Sequence, residues 1–225
     1  MHNIKWKDSN PVSLEFDDIY FSKEDGLAES DYVFIEGNNL PQRWKNLCSD
    51  FTIIETGFGT GLNFFAVYNL WQSLNLPATL NYISIEKYPL AKDDIIKAIS
   101  TYSQFDETLE EFCSQYPSPD IKLKNCNIKI FFEDIKTALP KIGTNADAWF
   151  LDGFAPSKNP DMWCEELFKS MSEITKPEGT FATFTCAGFV RRALQENSFH
   201  VEKQKGFGKK REMLIGHKSN NKTIA

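Results

Sequence analysis

No apolar run in this chain approaches the roughly 18 residues a membrane span needs, and Met1-His2-Asn3-Ile4-Lys5-Trp6-Lys7 leads into no signal-peptide core. These two absences predict a soluble cytoplasmic protein with no membrane partner. Histidine is scarce: His2, His200 and His217 are the only three, which disfavours a histidine-based triad or a multi-histidine metal site. The five cysteines, Cys48, Cys113, Cys126, Cys164 and Cys186, form no C-x-x-C pair and have no histidine at zinc-ligand spacing. They read as reduced thiols, mostly buried, and no metal is expected.

What is present suits one α/β domain. Of 225 residues 41% are apolar, 25% charged and 14% aromatic, which excludes a disordered, collagen-like or mucin-like chain. Twenty-five Lys and Arg against 31 Asp and Glu give a net charge of −6, which argues against indiscriminate coating of nucleic acid. The charge is polarised, however. From residue 190 onward nine basic residues face three acidic ones, a net of +6, so the preceding 189 residues carry −12.

Residues 1–50 read as an N-terminal extension, an arm or hairpin, with extended-looking pieces at Val12-Ser13-Leu14-Glu15-Phe16 and Tyr32-Val33-Phe34-Ile35. Residues 51–217 alternate short apolar runs with helical patterns, the mark of a parallel sheet covered by helices, and 218–225 is a polar tail or the start of a linker. Strands are expected at 51–55, 80–86, 128–132, 146–152 and 179–184. Helices are expected at 61–74, 90–102, 106–115, 161–175 and 188–196, with a short turn after Asp134. Asn159-Pro160-Asp161 resembles a helix start and Lys176-Pro177-Glu178-Gly179 a stop. Two last strands at 199–204 and 212–216 are joined too tightly to be anything but antiparallel.

Glu55-Thr56-Gly57-Phe58-Gly59-Thr60-Gly61-Leu62-Asn63 lies between the first strand and a helix, where glycines let the backbone turn and approach a ligand. Leu62 breaks the dinucleotide G-x-G-x-x-G spacing and no phosphate-loop Gly-Lys-Ser/Thr follows, so the loop suits a cofactor without phosphate. A strand-to-helix turn that is merely glycine-rich is the plainer alternative. The second strand ends at Ile85-Glu86-Lys87, where an acid can accept both hydroxyls of a ribose; Glu86 is otherwise a solvated strand end. The third ends at Phe132-Glu133-Asp134-Ile135, where Asp134 can meet an adenine amino group and Ile135 its ring, unless Asp134 is simply a helix cap.

The fourth strand runs through Trp149-Phe150-Leu151 into Asp152-Gly153-Phe154-Ala155-Pro156. A carboxylate at the carboxyl end of a central strand, with an aromatic ring beside it, suits an amine attached to a planar base: Asp152 orients the amine and Phe154 stacks the base. Asp152 as a loop anchor is the ordinary alternative. Near the end, Arg191, Arg192, Lys205, Lys209, Lys210 and Arg211 are candidates for RNA contact, because the loop mixes glycine, phenylalanine and four basic residues; a solvated basic face is the bland reading.

From Asn10 to Gly216 the chain resembles the methyltransferase domain of the MnmC-type tRNA wobble-uridine modification enzymes. The resemblance is carried by Thr56-Gly57-Phe58-Gly59-Thr60-Gly61-Leu62-Asn63-Phe64, Glu86-Lys87-Tyr88-Pro89-Leu90, the run from Trp149 to Trp163, Ala187-Gly188-Phe189-Val190-Arg191-Arg192 and Lys205-Gly206-Phe207-Gly208-Lys209-Lys210-Arg211-Glu212. It implies a class I S-adenosylmethionine-dependent (Rossmann-like) methyltransferase fold: a mostly parallel seven-stranded sheet with a C-terminal antiparallel hairpin, plus the N-terminal extension. It further implies methylation of the primary amine of 5-aminomethyl-2-thiouridine at the tRNA wobble position.

Matched by position, the resemblance puts Gly57, Gly59 and Gly61 on the methionine and ribose side of S-adenosylmethionine, Glu86 on the ribose hydroxyls and Asp134 on the adenine, with Glu55, Asn63, Lys87, Ile135 and Asp152 as further cofactor-binding candidates and Asp152 and Phe154 facing the substrate. Asp152 and Phe154 carry the catalysis. The family pattern has Gly where Glu133 stands and often Ser at Cys186. Many members are fused to a flavin-dependent oxidoreductase that prepares the amine, so FAD would enter only with such a domain. Two readings compete. An NAD-dependent oxidoreductase needs the spacing Leu62 breaks, and a non-catalytic RNA-binding module would not need Glu86 and Asp152.

Overall fold

The computed structural model describes residues 4–7, 10–21 and 25–219. The end of the polar tail, with Lys222, lies outside them. The chain opens with a two-stranded antiparallel hairpin, β1 (Ile4–Lys7) and β2 (Asn10–Ser13), followed by α1 (Gly26–Ser30), a wide π-type turn over Asp31–Glu36, and α2 (Leu40–Trp44). Next come β3 (Phe51–Thr56), α3 (Leu62–Ser73), β4 (Leu80–Ile85), α4 (Lys92–Ile99), α5 (Asp106–Gln115), β5 (Asp120–Leu123), β6 (Cys126–Phe131), α6 (Ile135–Ala138) and β7 (Ala146–Leu151). The last elements are α7 (Glu165–Ile174), β8 (Thr175–Thr183), α8 (Gly188–Glu196), β9 (Phe199–Lys205) and β10 (Glu212–Lys218).

Eight strands form the main sheet in the order β5-β6-β4-β3-β7-β8-β10-β9. From β3 the chain steps outward through β4 to β6, then returns to β7 on the other side of β3. The reversal leaves a crevice above the carboxyl ends of β3 and β7, the usual ligand position in an open α/β sheet. Every residue of β3 is buried, as expected of a central strand covered on both faces.

Strand alternation assigns each side chain to a face. Ile53, Tyr82 and Phe150 belong to the core under α3, α4 and α5; Ile54, Ile85, Trp149 and Leu151 belong to the core under α7 and α8. The same alternation turns Glu55, and Asp152 beyond the end of β7, toward α3.

Helix α3 is apolar because it lies between the sheet and the N-terminal helices. Phe64 stacks on Tyr68 at 5.7 Å, and Trp71 meets Trp44 edge-on at 4.9 Å. Arg43 donates to Thr180 Oγ1 at 2.6 Å and to the Asp147 carbonyl at 2.9 Å, and its guanidinium lies over the Phe51 ring. The segment before β3 is thus bonded to the sheet. Trp44 is fully buried, so Trp44→Ala is expected to cost about 3–5 kcal/mol, read as a lower urea midpoint with an unchanged m-value.

Several expectations are corrected. Tyr32–Ile35 is helical rather than extended, since its three buried apolar side chains pack between α3 and the sheet. Of the extended piece expected at Val12 to Phe16 only Val12 and Ser13 belong to a strand, β2, and Leu14 to Phe16 form a turn. The sheet has eight strands rather than seven, because the exposed-buried alternation of Asp120–Leu123 makes an antiparallel edge strand on β6. The start signal at Asn159-Pro160-Asp161 builds a separate 3-10 turn, Pro160–Met162, and α7 begins only after Cys164. Pro177 lies inside β8, tolerated because β8 bulges between Thr175 and Thr180, opposite Ala146 and Ala148 of β7, and leaves Pro177 and Glu178 exposed. Of the five free cysteines only Cys113 and Cys126 are buried; Cys48 and Cys186 are exposed and Cys164 lies between.

Candidate active site

A cavity of about 670 Å³ opens above the carboxyl edge of the sheet. It gathers Gly57, Gly59, Asn63, Glu86, Lys87, Asp134, Ile135, Asp152, Phe154 and Lys210 from the residues singled out in the sequence. Glu55, bonded to the cavity residue Asn63, and Gly61, the residue before α3, do not line it. Arg191, Arg192, Lys205, Lys209 and Arg211 lie outside it.

Two turns meet over the sheet. Gly57 (φ +82°) and Gly153 (φ +118°) both adopt left-handed backbone, and a Cβ on Gly57 would stand 3.1 Å from the Gly153 Cα. Glycine at both places is what lets the loops after β3 and β7 approach each other. The Thr56 hydroxyl, donating to the Asp152 carbonyl at 2.8 Å, ties them together. The loop after β7 is tied back on itself by Trp163, whose ring N–H donates to the Phe154 carbonyl at 3.2 Å.

Asn63, on the first turn of α3, organises the carboxylates. Its amide nitrogen donates to Glu55 Oε1 at 3.0 Å and to Asp152 Oδ2 at 2.6 Å, while its oxygen accepts from the Ser30 hydroxyl at 2.5 Å. Glu55 also accepts from Ser84 at 2.7 Å and is wholly buried. Burial, with Asp152 nearby, holds its carboxyl well above the ordinary range. Asp152 has its second oxygen on the Gly153 N–H at 2.7 Å. Burial pushes it up to about 6, close to the pH at which a carboxylate can act as a base.

Glu86 takes one N–H on each oxygen, Gly59 on Oε2 and Tyr88 on Oε1, both at 2.8 Å. Burial raises its pKa against those two bonds. Asp134 caps α6, accepting from the Lys136 N–H at 3.0 Å, and its other oxygen pairs with Lys87 at 3.0 Å. Burial raises it most, but the Lys136 amide and Lys87 ammonium outweigh that and hold it below the usual carboxylate range. The helix-cap alternative for Asp134 is thus realised. Its remaining lone pairs and the neighbouring Ile135 still face the cavity.

Sequence reasoning missed a wall of the site. Phe16 stacks on Phe154 at 4.6 Å, Tyr20 meets Phe154 edge-on at 5.1 Å, and Glu29 and Ser30 also line the cavity. The signal was the concentration of aromatic and acidic residues around Asp17-Asp18-Ile19-Tyr20-Phe21 in a segment of no clear period. Lys158 anchors this wall, donating to the Asp17 carbonyl at 2.8 Å.

Residues 102–219 match the family described as S-adenosyl-L-methionine-dependent methyltransferase. The chain belongs to this family. Among curated proteins it is 46% identical over 227 positions to the tRNA 5-methylaminomethyl-2-thiouridine biosynthesis bifunctional protein MnmC of Leptospira borgpetersenii, covering 96% of this chain and 35% of that one. The protein of the same name from Pseudoalteromonas atlantica is 44% identical, covering 93% and 32%. The chain therefore spans about a third of the length of these relatives. Among solved structures, MNMC2 from Aquifex aeolicus superposes with a TM-score of 0.77 at 22% identity over 96% of this chain and 70% of that one, which shows the shared fold.

The site of this methyltransferase fits its cofactor on its own donor chemistry. Glycine-loop backbone lies beside a strand-end carboxylate and an apolar flank, and the described residues contain no metal-ligating cluster and no helix long and apolar enough to cross a membrane.

Proposed function

We propose that this methyltransferase acts on the primary amine of 5-aminomethyl-2-thiouridine at the wobble position of tRNA, giving 5-methylaminomethyl-2-thiouridine. The observation that carries the reading is the placement of Asp152. It lies at the topological switch point, fixed by Asn63 and Gly153, in a cavity that also holds Phe154 and the Lys210 ammonium. The names of the bifunctional relatives and the resemblance from Asn10 to Gly216 support the same substrate. A fused or separate FAD-dependent oxidoreductase would supply the amine, and the cytoplasm would supply the tRNA.

The proposed roles follow from the geometry. Glu86 receives the ribose hydroxyls, the backbone at Gly57 and Gly59 closes on the amino-acid end, and Asp134 with Ile135 borders the base. S-adenosylmethionine, when bound, supplies an electrophilic methyl group. An alkylamine is mostly protonated near neutrality, so Asp152 accepts the proton and turns the amine's lone pair toward the donor. Phe154, with Phe16 on one face, confines the planar base. The wobble base must leave its anticodon stack to reach this depth, which costs a few kcal/mol.

In this reading the basic loop between β9 and β10 meets the phosphates, and its position at the carboxyl edge, set by the antiparallel pairing of β10 with β8, supports it. Substituting Lys205, Lys209, Lys210 and Arg211 by Ala should weaken tRNA binding and reduce its salt slope by roughly one unit for each phosphate no longer neutralised. Filter binding at several salt concentrations reads this out, and an unaltered slope would remove the loop from the account. The decisive assay for the function is mass spectrometry of wobble nucleosides. The tRNA is incubated with protein and S-adenosylmethionine, with and without prior conversion to the aminomethyl form. Mass gain of one methyl only after conversion supports the reading; no gain sinks it.

A further inference from the structure

The Lys210 ammonium is 2.6 Å from Glu29 Oε1 and 4.7 Å from the centroid of the Phe184 ring. Glu29, Phe184, Lys210 and Asp152 all line the one cavity. A carboxylate joined to an aromatic face is a general recognition device for alkylammonium ions. Here the ammonium bound is the chain's own, delivered from the basic loop after β9. We propose that Glu29 and Phe184 form a subsite for a primary alkylammonium, which Lys210 fills until RNA phosphates draw it away and the substrate's aminomethyl group takes its place.

Three features support the exchange. The Lys210 and Glu29 side chains keep 48% and 27% of their exposure, so the pair is water-accessible and easily exchanged. Lys210 carries its ammonium on a flexible four-carbon stem, so the charge can swing away while the backbone stays tied by the Lys210 N–H to the Phe207 carbonyl at 3.0 Å. Glu29 and Lys210 also act with opposite sign on Asp152, so removing the lysine leaves two acids facing an arriving cation. The subsite thus holds the amine as its cation, and Asp152 takes the proton afterwards. Coupling the exchange to phosphate gives a reason for an RNA substrate to outcompete free amines, since only RNA brings the charge that vacates the subsite.

The substrate identity here rests on the function proposed above, but the subsite can be tested without methyl transfer. Propylammonium chloride is titrated into the full chain and followed by NMR of the phenylalanine rings, comparing wild type, Lys210→Met and the double variant Lys210→Met/Glu29→Gln. The expectation is about three- to fivefold tighter binding in Lys210→Met than in wild type, lost in the double variant and retained with Glu29→Asp. No gain in Lys210→Met, or a gain that survives Glu29→Gln, overturns the subsite. S-adenosylhomocysteine affinity, measured alongside, reports that each variant is folded. Should wild-type protein fail to methylate aminomethylated tRNA while the propylammonium pattern holds, the function falls and the subsite stands.

Discussion

Asp152→Asn is expected to lower methyl transfer to aminomethylated tRNA by roughly 10²–10⁴-fold, the usual contribution of a positioned general base. S-adenosylhomocysteine affinity should change by less than about tenfold, a single hydrogen bond's worth. The two readouts separate catalysis from binding: the amide keeps one acceptor oxygen and its NH₂ must oppose either the Asn63 or the Gly153 N–H, so the affinity reads that lost bond while the rate reads the lost base. With Asp152 pushed up to about 6, the wild-type rate should climb as pH rises through that value and the carboxylate forms. In Asp152→Asn that limb disappears. Wild-type turnover by the variant would end the assignment.

Stability should move the other way. A carboxyl raised from 3.8 to about 6 on folding favours the native state while protonated, and that contribution is lost as pH rises through about 6. Below the unfolded value it is fully present. The stability difference should therefore shift toward Asp152→Asn between about pH 4 and 7, by about 3 kcal/mol at most, set against a pH-independent cost for the one N–H bond that the amide cannot accept. Urea midpoints across that range measure it.

The order in which strands and helices follow one another was legible because a buried parallel strand is a short apolar run and its covering helices carry apolar faces. Phe51–Thr56 and Ala146–Leu151 could be read almost to the residue. Tyr32–Ile35 could not, since four apolar and aromatic residues in a row look the same in a strand and in a fully packed helical turn. Asn159-Pro160-Asp161 misled for a different reason: proline and a capping-type residue also build the turn that returns Trp163 to the Phe154 carbonyl. In the site, Glu86 and Asp152 were visible as acids at strand ends. Asn63's bond to Asp152 and the Phe16–Phe154 stack were not, because both depend on residues far apart in sequence meeting at the cavity. No local pattern encodes such a meeting.

Replacing Glu86 should be the most damaging change for cofactor binding. Each of its oxygens already accepts a backbone N–H, from Gly59 and from Tyr88, so it shapes the glycine loop as well as facing the cavity. Glu86→Gln does not spare it, because the amide has one acceptor oxygen and its NH₂ must then oppose one of those two N–H donors. Charge-assisted bonds are worth about 1.5–3 kcal/mol, so losing one raises the dissociation constant for S-adenosylhomocysteine by roughly 10–100-fold, and Glu86→Ala should exceed that. Since burial holds Glu86 above the ordinary carboxylate range, wild-type affinity should weaken as pH falls through that raised value and the acceptor is protonated. Glu86→Ala should lose this pH dependence together with the affinity. Calorimetry between pH 4.5 and 8 distinguishes the outcomes, and an affinity within about twofold of wild type in Glu86→Gln would assign the ribose contact elsewhere.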